Sequence, residues 1–120
     1  MRRDDEVRLR HMLDAARDAV GFGQDRLRTD LDSDRLLALG LLKCVEIIGE
    51  AAARVSADAR EVTTRIPWAD IVGMRNRLVH AYYDIDLDQV WKTVVEDLPL
   101  LILELETILR SGSSLEEPSP

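Results

Sequence analysis

The stretch Met74-Arg75-Asn76-Arg77-Leu78-Val79-His80-Ala81-Tyr82-Tyr83 holds one of the chain's two histidines, both of its tyrosines and two arginines. On a helix, Asn76 and His80 stand i,i+4 on one face, with Tyr83 further along that line. Arg75 falls on the adjoining row with Tyr82. One helix end would then present a guanidinium, a carboxamide, an imidazole and a phenol. Each has work to do at a phosphodiester. The guanidinium fork matches phosphate oxygens. The imidazole takes and returns protons near neutral pH. The carboxamide of Asn76 can fix the imidazole's orientation. Taken alone, so short a spacing fits an ordinary polar patch with an ion pair better than it fits an active site. Metal chemistry is not indicated, because His11 and His80 lie far apart with no histidine–carboxylate signature between them.

These residues must be positioned by the rest of a 120-residue chain, the size of one domain. Hydrophobic residues make up 46% and charged residues 32%, but aromatics only 4%, so the core must be aliphatic. The net charge of −7 argues against a protein that coats a nucleic-acid duplex, and DNA is not an expected partner. The charge is uneven. From Arg54 to His80 five basic residues stand against three acidic ones, leaving +2 there and −9 elsewhere. A local basic spot can still hold a phosphate. The single cysteine, Cys44, cannot form an intrachain disulfide and reads as a small buried hydrophobe. With no apolar run long enough for a membrane span and no signal peptide, a cytoplasmic location is expected.

Helical periodicity covers the chain and strand alternation is absent, so the expected fold is all-α. It is read as an up-and-down bundle of four main helices plus one short helix. Leu9, Met12, Leu13, Ala16, Ala19 and Val20 form one face of a first helix over about 4–22, while His11 reads as a surface residue. Residues 24–32 read as a turn with some helical character. Asp32 or Ser33 caps a second helix running to about Val55, apolar over more than half its girth. Its second apolar face suggests a subunit interface, and Gly40 and Gly49 suggest close helix–helix approach. Glu46 and Glu50 lie i,i+4 on this helix. Glu46 reads as a solvated edge. Glu50 either pairs with Arg54 or orients an arginine or histidine of the central stretch.

Ser56 caps the short helix, and Pro67 ends it. A further helix is predicted from Trp68 to about Tyr82, with Arg75 in the middle of its apolar row and in need of a partner. The last helix is predicted over about 87–110, kinked by Pro99. A helical domain over 1–110 is thus followed by a disordered tail over 111–120.

The run from Pro67-Trp68 through Gly73-Met74-Arg75-Asn76 to His80-Ala81-Tyr82 resembles the signature of HepT-like proteins, members of the HEPN superfamily. Ile47-Ile48-Gly49-Glu50, Asp84-Ile85-Asp86, Val90-Trp91 and Leu98-Pro99 extend the resemblance from about Asp4 to Arg110. It implies a homodimeric HEPN-like domain over 1–110 and a metal-independent ribonuclease toxin of a type VII toxin–antitoxin pair, needing no cofactor. It also implies an RNA substrate and an antitoxin partner, a nucleotidyltransferase of the MNT type. Arg75, Asn76 and His80 would be the catalytic residues, meeting their counterparts in a dimer cleft. Tyr82 would be the tyrosine that the partner silences by AMP transfer. Glu50, Arg77 and Tyr83 are possible supporting residues. The alternative is a non-catalytic nucleotide-binding or substrate-presenting partner of a nucleotidyltransferase.

Overall fold

The computed structural model describes residues 1–79 and 84–116, with side chains through Ser111. Among the described residues the architecture is all-helical: α1 (Arg3–Gly23), α2 (Asp30–Ser33), α3 (Arg35–Ala53), α4 (Ala57–Glu61), α5 (Trp68–Val72), α6 (Met74–Leu78), α7 (Leu87–Lys92) and α8 (Leu98–Glu116). A π turn, Thr93–Asp97, joins α7 to α8. The sequence pattern predicts one short helix. Among the described residues there are several, including α2, which begins within residues 24–32, where a turn with some helical character was expected. Residues 80–83, including the predicted end of the Trp68–Tyr82 helix, lie outside the described residues.

The long helices α1 and α3 form an antiparallel pair. At one end the Asp5 carboxylate accepts hydrogen bonds from the Ser56 backbone N–H at 2.8 Å and its hydroxyl at 2.7 Å. At the other, Phe22 packs beside Gly40. Asp34 caps α3 by accepting from the Leu37 N–H, one or two residues later than the sequence suggests. The α1 face predicted from periodicity is the buried one: Leu9, Met12, Leu13, Ala16 and Ala19. From α8, Leu98, Leu101, Leu105 and Leu109 close the core against it. At ~25 cal/mol per Å2 of apolar surface, such aliphatic burial is the main stabilising term.

The apolar girth of α3 is used mostly within the protomer. Leu37, Leu41, Leu42, Cys44, Val45, Ile48, Ala51 and Ala52 are buried, whereas Leu36 stays 83% exposed. Helix α1 packs on one side of α3, and α5 and α6 on another. A Cβ on Gly49 would sit 3.6 Å from the Ile71 carbonyl oxygen, an ordinary contact. Glycine is therefore not required there for close approach.

Segment α4 and the turn after it tie α3 to α5. The Ser56 hydroxyl accepts from the Ala59 N–H and caps α4, as its sequence predicts. The Arg60 guanidinium donates to the Ala52 carbonyl at 2.7 Å and stacks over Trp68. The Trp68 indole N–H donates to the Thr63 carbonyl at 3.2 Å. These contacts fix where α5 starts, and hence where the chemically rich segment begins.

The kink expected at Pro99 takes the form of the π turn directly before it, in which the Leu98 N–H reaches back to the Thr93 carbonyl. Pro99 has no N–H to offer Val95, and widening the turn accommodates its ring. Helix α8 continues to Glu116, beyond Arg110 where the helical domain was expected to end. Pro118 is the first strong helix breaker after Pro99.

Candidate functional site

Helix α5 and helix α6 are separate elements, not the first turns of one Trp68–Tyr82 helix. Gly73 joins them at φ −85°, ψ −2°, and this turn resets the register. The buried row is therefore Trp68, Ile71, Met74 and Leu78. Met74 takes the inward place that regular helical spacing assigns to Arg75. The Arg75 side chain is instead 53% exposed.

Helix α6 ends at Leu78. Val79 is extended at φ −126°, ψ 115°, and pairs with Ile85 in an isolated antiparallel bridge. The Asp86 N–H donates to the Leu78 carbonyl at 2.7 Å beside that bridge. Helix α6 thus stops two residues before His80, and the predicted Asn76–His80 face extends outside the described residues. The catalytic candidate His80, the regulatory candidate Tyr82 and its neighbour Tyr83 fall outside the described residues. The chain on either side of them is pinned: Val79 and Ile85 are partly buried against the core. Asp86 then caps α7 by accepting from the Gln89 N–H at 3.1 Å.

Arg75 has the partner that an arginine in this stretch needs, and it comes from α3. Its Nε–H donates to Glu46 Oε1 at 3.1 Å. Glu46 is thus no mere solvated edge: its side chain is 23% exposed and is engaged by the central arginine. Sequence reasoning missed this because only the packing of α6 on α3 decides whether Glu46 or Glu50 faces Arg75. The signal available was an apolar helix carrying two carboxylates one turn apart, and an arginine lacking a local partner. Glu50 and Asn76 are exposed.

Arg77 points elsewhere. It lies two residues from Arg75 on α6, so the two side chains leave the helix on nearly opposite sides. Its guanidinium donates to the Asp70 carbonyl at 3.3 Å. It lines a groove of about 730 Å3 between α5–α6 and α7–α8, with Arg65, Lys92, Leu100 and Leu103. Arg75 is not among the residues of that groove. The structure therefore brings Arg75 to Glu46 and sends Arg77 to a different surface. Among the described residues no three His, Cys, Asp or Glu side chains converge as a metal site would need.

This arrangement offers an exposed guanidinium held through Nε, with no partner for its two terminal nitrogens among the described residues, so that they can bind an anion. It stands at the start of a segment whose far end is fastened by the Val79–Ile85 pairing. No helix of the described residues is long and apolar enough to cross a membrane.

Known proteins resemble the chain across this site and most of its length. A candidate RNase of Methanocaldococcus jannaschii is 34% identical over 89% of this chain and 98% of that protein. A second candidate RNase from the same organism is 28% identical over 98% of both chains. A candidate ribonuclease HepT of Thermococcus cleftensis is 38% identical over 60% of this chain and 66% of its own length. No solved structure matches at a significant level. The family model described as Ribonuclease HepT-like matches residues 12–108, which include the α3 carboxylates, both arginines of α6 and the His80–Tyr82 stretch, and so this chain belongs to the HepT-like family.

Proposed function

We propose that this protein is a metal-independent ribonuclease of the HEPN type, acting as the toxin of a toxin–antitoxin pair. The observation that carries the reading is the family match across the whole Arg75–Tyr82 segment, with Arg75 half exposed and held through its Nε by Glu46. In this reading His80 takes the proton of a ribose 2′-hydroxyl. The freed oxygen attacks the adjacent phosphorus, and the 5′ oxygen leaves. The products are a 2′,3′-cyclic phosphate and a 5′-hydroxyl. The His80 of a second copy gives the leaving oxygen its proton. Arg75 stabilises the charge on the phosphorane, and Asn76 orients the imidazole.

The active form is a homodimer. Apolar side chains left exposed on α3 (Leu36, Leu39) and α8 (Leu100, Leu103) support an assembly beyond the single chain. The net charge of −7 favours a narrow cleft and a selected RNA over broad RNA binding. The partner is a nucleotidyltransferase of the MNT type. It joins the α-phosphate of ATP to the Tyr82 phenol oxygen and releases pyrophosphate. The AMP phosphate then competes with RNA for Arg75.

The test is RNA cleavage by purified protein in EDTA, beside His80→Ala and Tyr82→Phe. The reading expects cleavage that is lost in His80→Ala and kept in Tyr82→Phe. Intact RNA with wild-type protein shown by mass spectrometry to carry no AMP would replace it with the non-catalytic nucleotide-binding reading.

A further inference from the structure

We infer that Glu46 is a positioning residue for Arg75, turning the terminal edge of its guanidinium toward the scissile phosphodiester. The inference rests on the ribonuclease reading of the site and adds a residue from a different helix to it.

The two partners differ in how firmly each is held. Glu46 sits on α3 between Val45 and Ile48, which are fully buried. Arg75 sits on α6, a helix of five residues bounded by the Gly73 turn and the extended Val79. So short a helix holds an exposed, long side chain weakly by itself. The 3.1 Å bond from Nε to Glu46 therefore carries orientation from the rigid helix to the short one. It also selects which edge of the fork is used. With Nε–H given to the carboxylate, the Nη1 and Nη2 groups remain for the two oxygens of a phosphate. No other partner of the Arg75 side chain occurs among the described residues.

The carboxylate has an opposing effect on binding. A negative charge beside the arginine lowers the local positive potential and weakens capture of RNA before reaction. Removing Glu46 should therefore loosen Arg75 and slow the chemical step, while leaving ground-state RNA binding unchanged or tighter. A residue that served stability alone would not split kcat from KM in this way.

The experiment measures kcat and KM for RNA cleavage in EDTA with wild-type, Glu46→Ala and Glu46→Gln proteins. Arginine Nε–Hε relaxation is recorded by NMR on the same samples, with the Arg75 signal assigned by its loss in Arg75→Ala. Glu46→Ala should lower kcat about tenfold with KM equal or lower, and make the Arg75 Nε–Hε mobile. Glu46→Gln, whose amide oxygen still accepts from Nε, should restore most of kcat and the ordered signal. Unchanged kcat in Glu46→Ala, or an Arg75 signal equally ordered without Glu46, overturns the inference while leaving the ribonuclease reading intact. If the wild-type protein does not cut RNA, that reading fails, and titration with a 2′-O-methyl RNA oligonucleotide decides the positioning role. An Arg75 Nε–Hε that is ordered in the bound wild type and mobile in bound Glu46→Ala supports it, and equal order in both bound proteins overturns it.

Discussion

Val79 and Ile85 pair across an isolated antiparallel bridge, and the Asp86 N–H closes onto the Leu78 carbonyl beside it at 2.7 Å. Five residues, from His80 to Asp84, lie between the paired positions. The chain is therefore fastened on both sides of the proposed base and the proposed modification site. The Asp86 side chain fixes the next element by capping α7. Asp86→Ala should destabilise the protein by about 1 kcal/mol through the lost cap. It should also lower RNA cleavage, because the chain's anchor after the proposed base loosens. Urea unfolding and a cleavage assay read the two effects, and the Asp86 amide should be protected from hydrogen exchange in the wild type.

Arg75→Lys separates charge from geometry. Lysine keeps the positive charge but has no planar fork and no Nε–H for Glu46. Cleavage should fall roughly 10²- to 10³-fold, the scale for losing a donor to a developing oxyanion. Because Arg75 is 53% exposed, stability should stay within about 0.5 kcal/mol. A thermal melt beside the cleavage assay checks both.

Asp5 ties the first helix to the turn after the third. Burial pushes its carboxyl upward. The Ser56 backbone N–H, the Ser56 hydroxyl, and the charges of Arg2 and Arg8 outweigh that and hold it below the usual carboxylate range. Asp5→Ala would leave the Ser56 N–H without its acceptor, costing about 1–3 kcal/mol. The folded-state pKa is depressed, so this contribution is fully present above the ordinary pKa of 3.8. It is lost as pH falls through the lower folded value. The gap between wild-type and Asp5→Asn melting temperatures should hold steady at neutral pH and shrink below 3.8. Asp34 should behave alike, since Arg26 and the Leu37 N–H hold its carboxyl down too.

Gly49→Ala tests whether a small residue is needed between α3 and α5. The added Cβ would meet the Ile71 carbonyl oxygen at 3.6 Å and the Val72 carbonyl oxygen at 3.8 Å. Both are ordinary contacts, so the helix-propensity gain of up to ~1 kcal/mol should appear as higher stability. A lower melting temperature would show that α5 sits closer to α3 than these distances allow.

Much of this protein was legible in the chain itself. The buried faces of α1 and α8, the Ser56 cap and the burial of Cys44 follow from apolar periodicity and local hydrogen-bonding chemistry. Such signals are carried by residues three or four apart, within one element, and need no knowledge of the fold. The segment that would do the chemistry, and its family resemblance, were equally visible as a string of residue types. The tertiary structure alone decided three things: that Gly73 breaks the Trp68–Tyr82 helix and turns Arg75 outward, that Val79 leaves the helix to pair with Ile85, and that Glu46 rather than Glu50 reaches the guanidinium. Each depends on how a short element packs on α3. A five-residue helix has too little propensity of its own to fix its register, so contacts from distant parts of the chain decide its geometry.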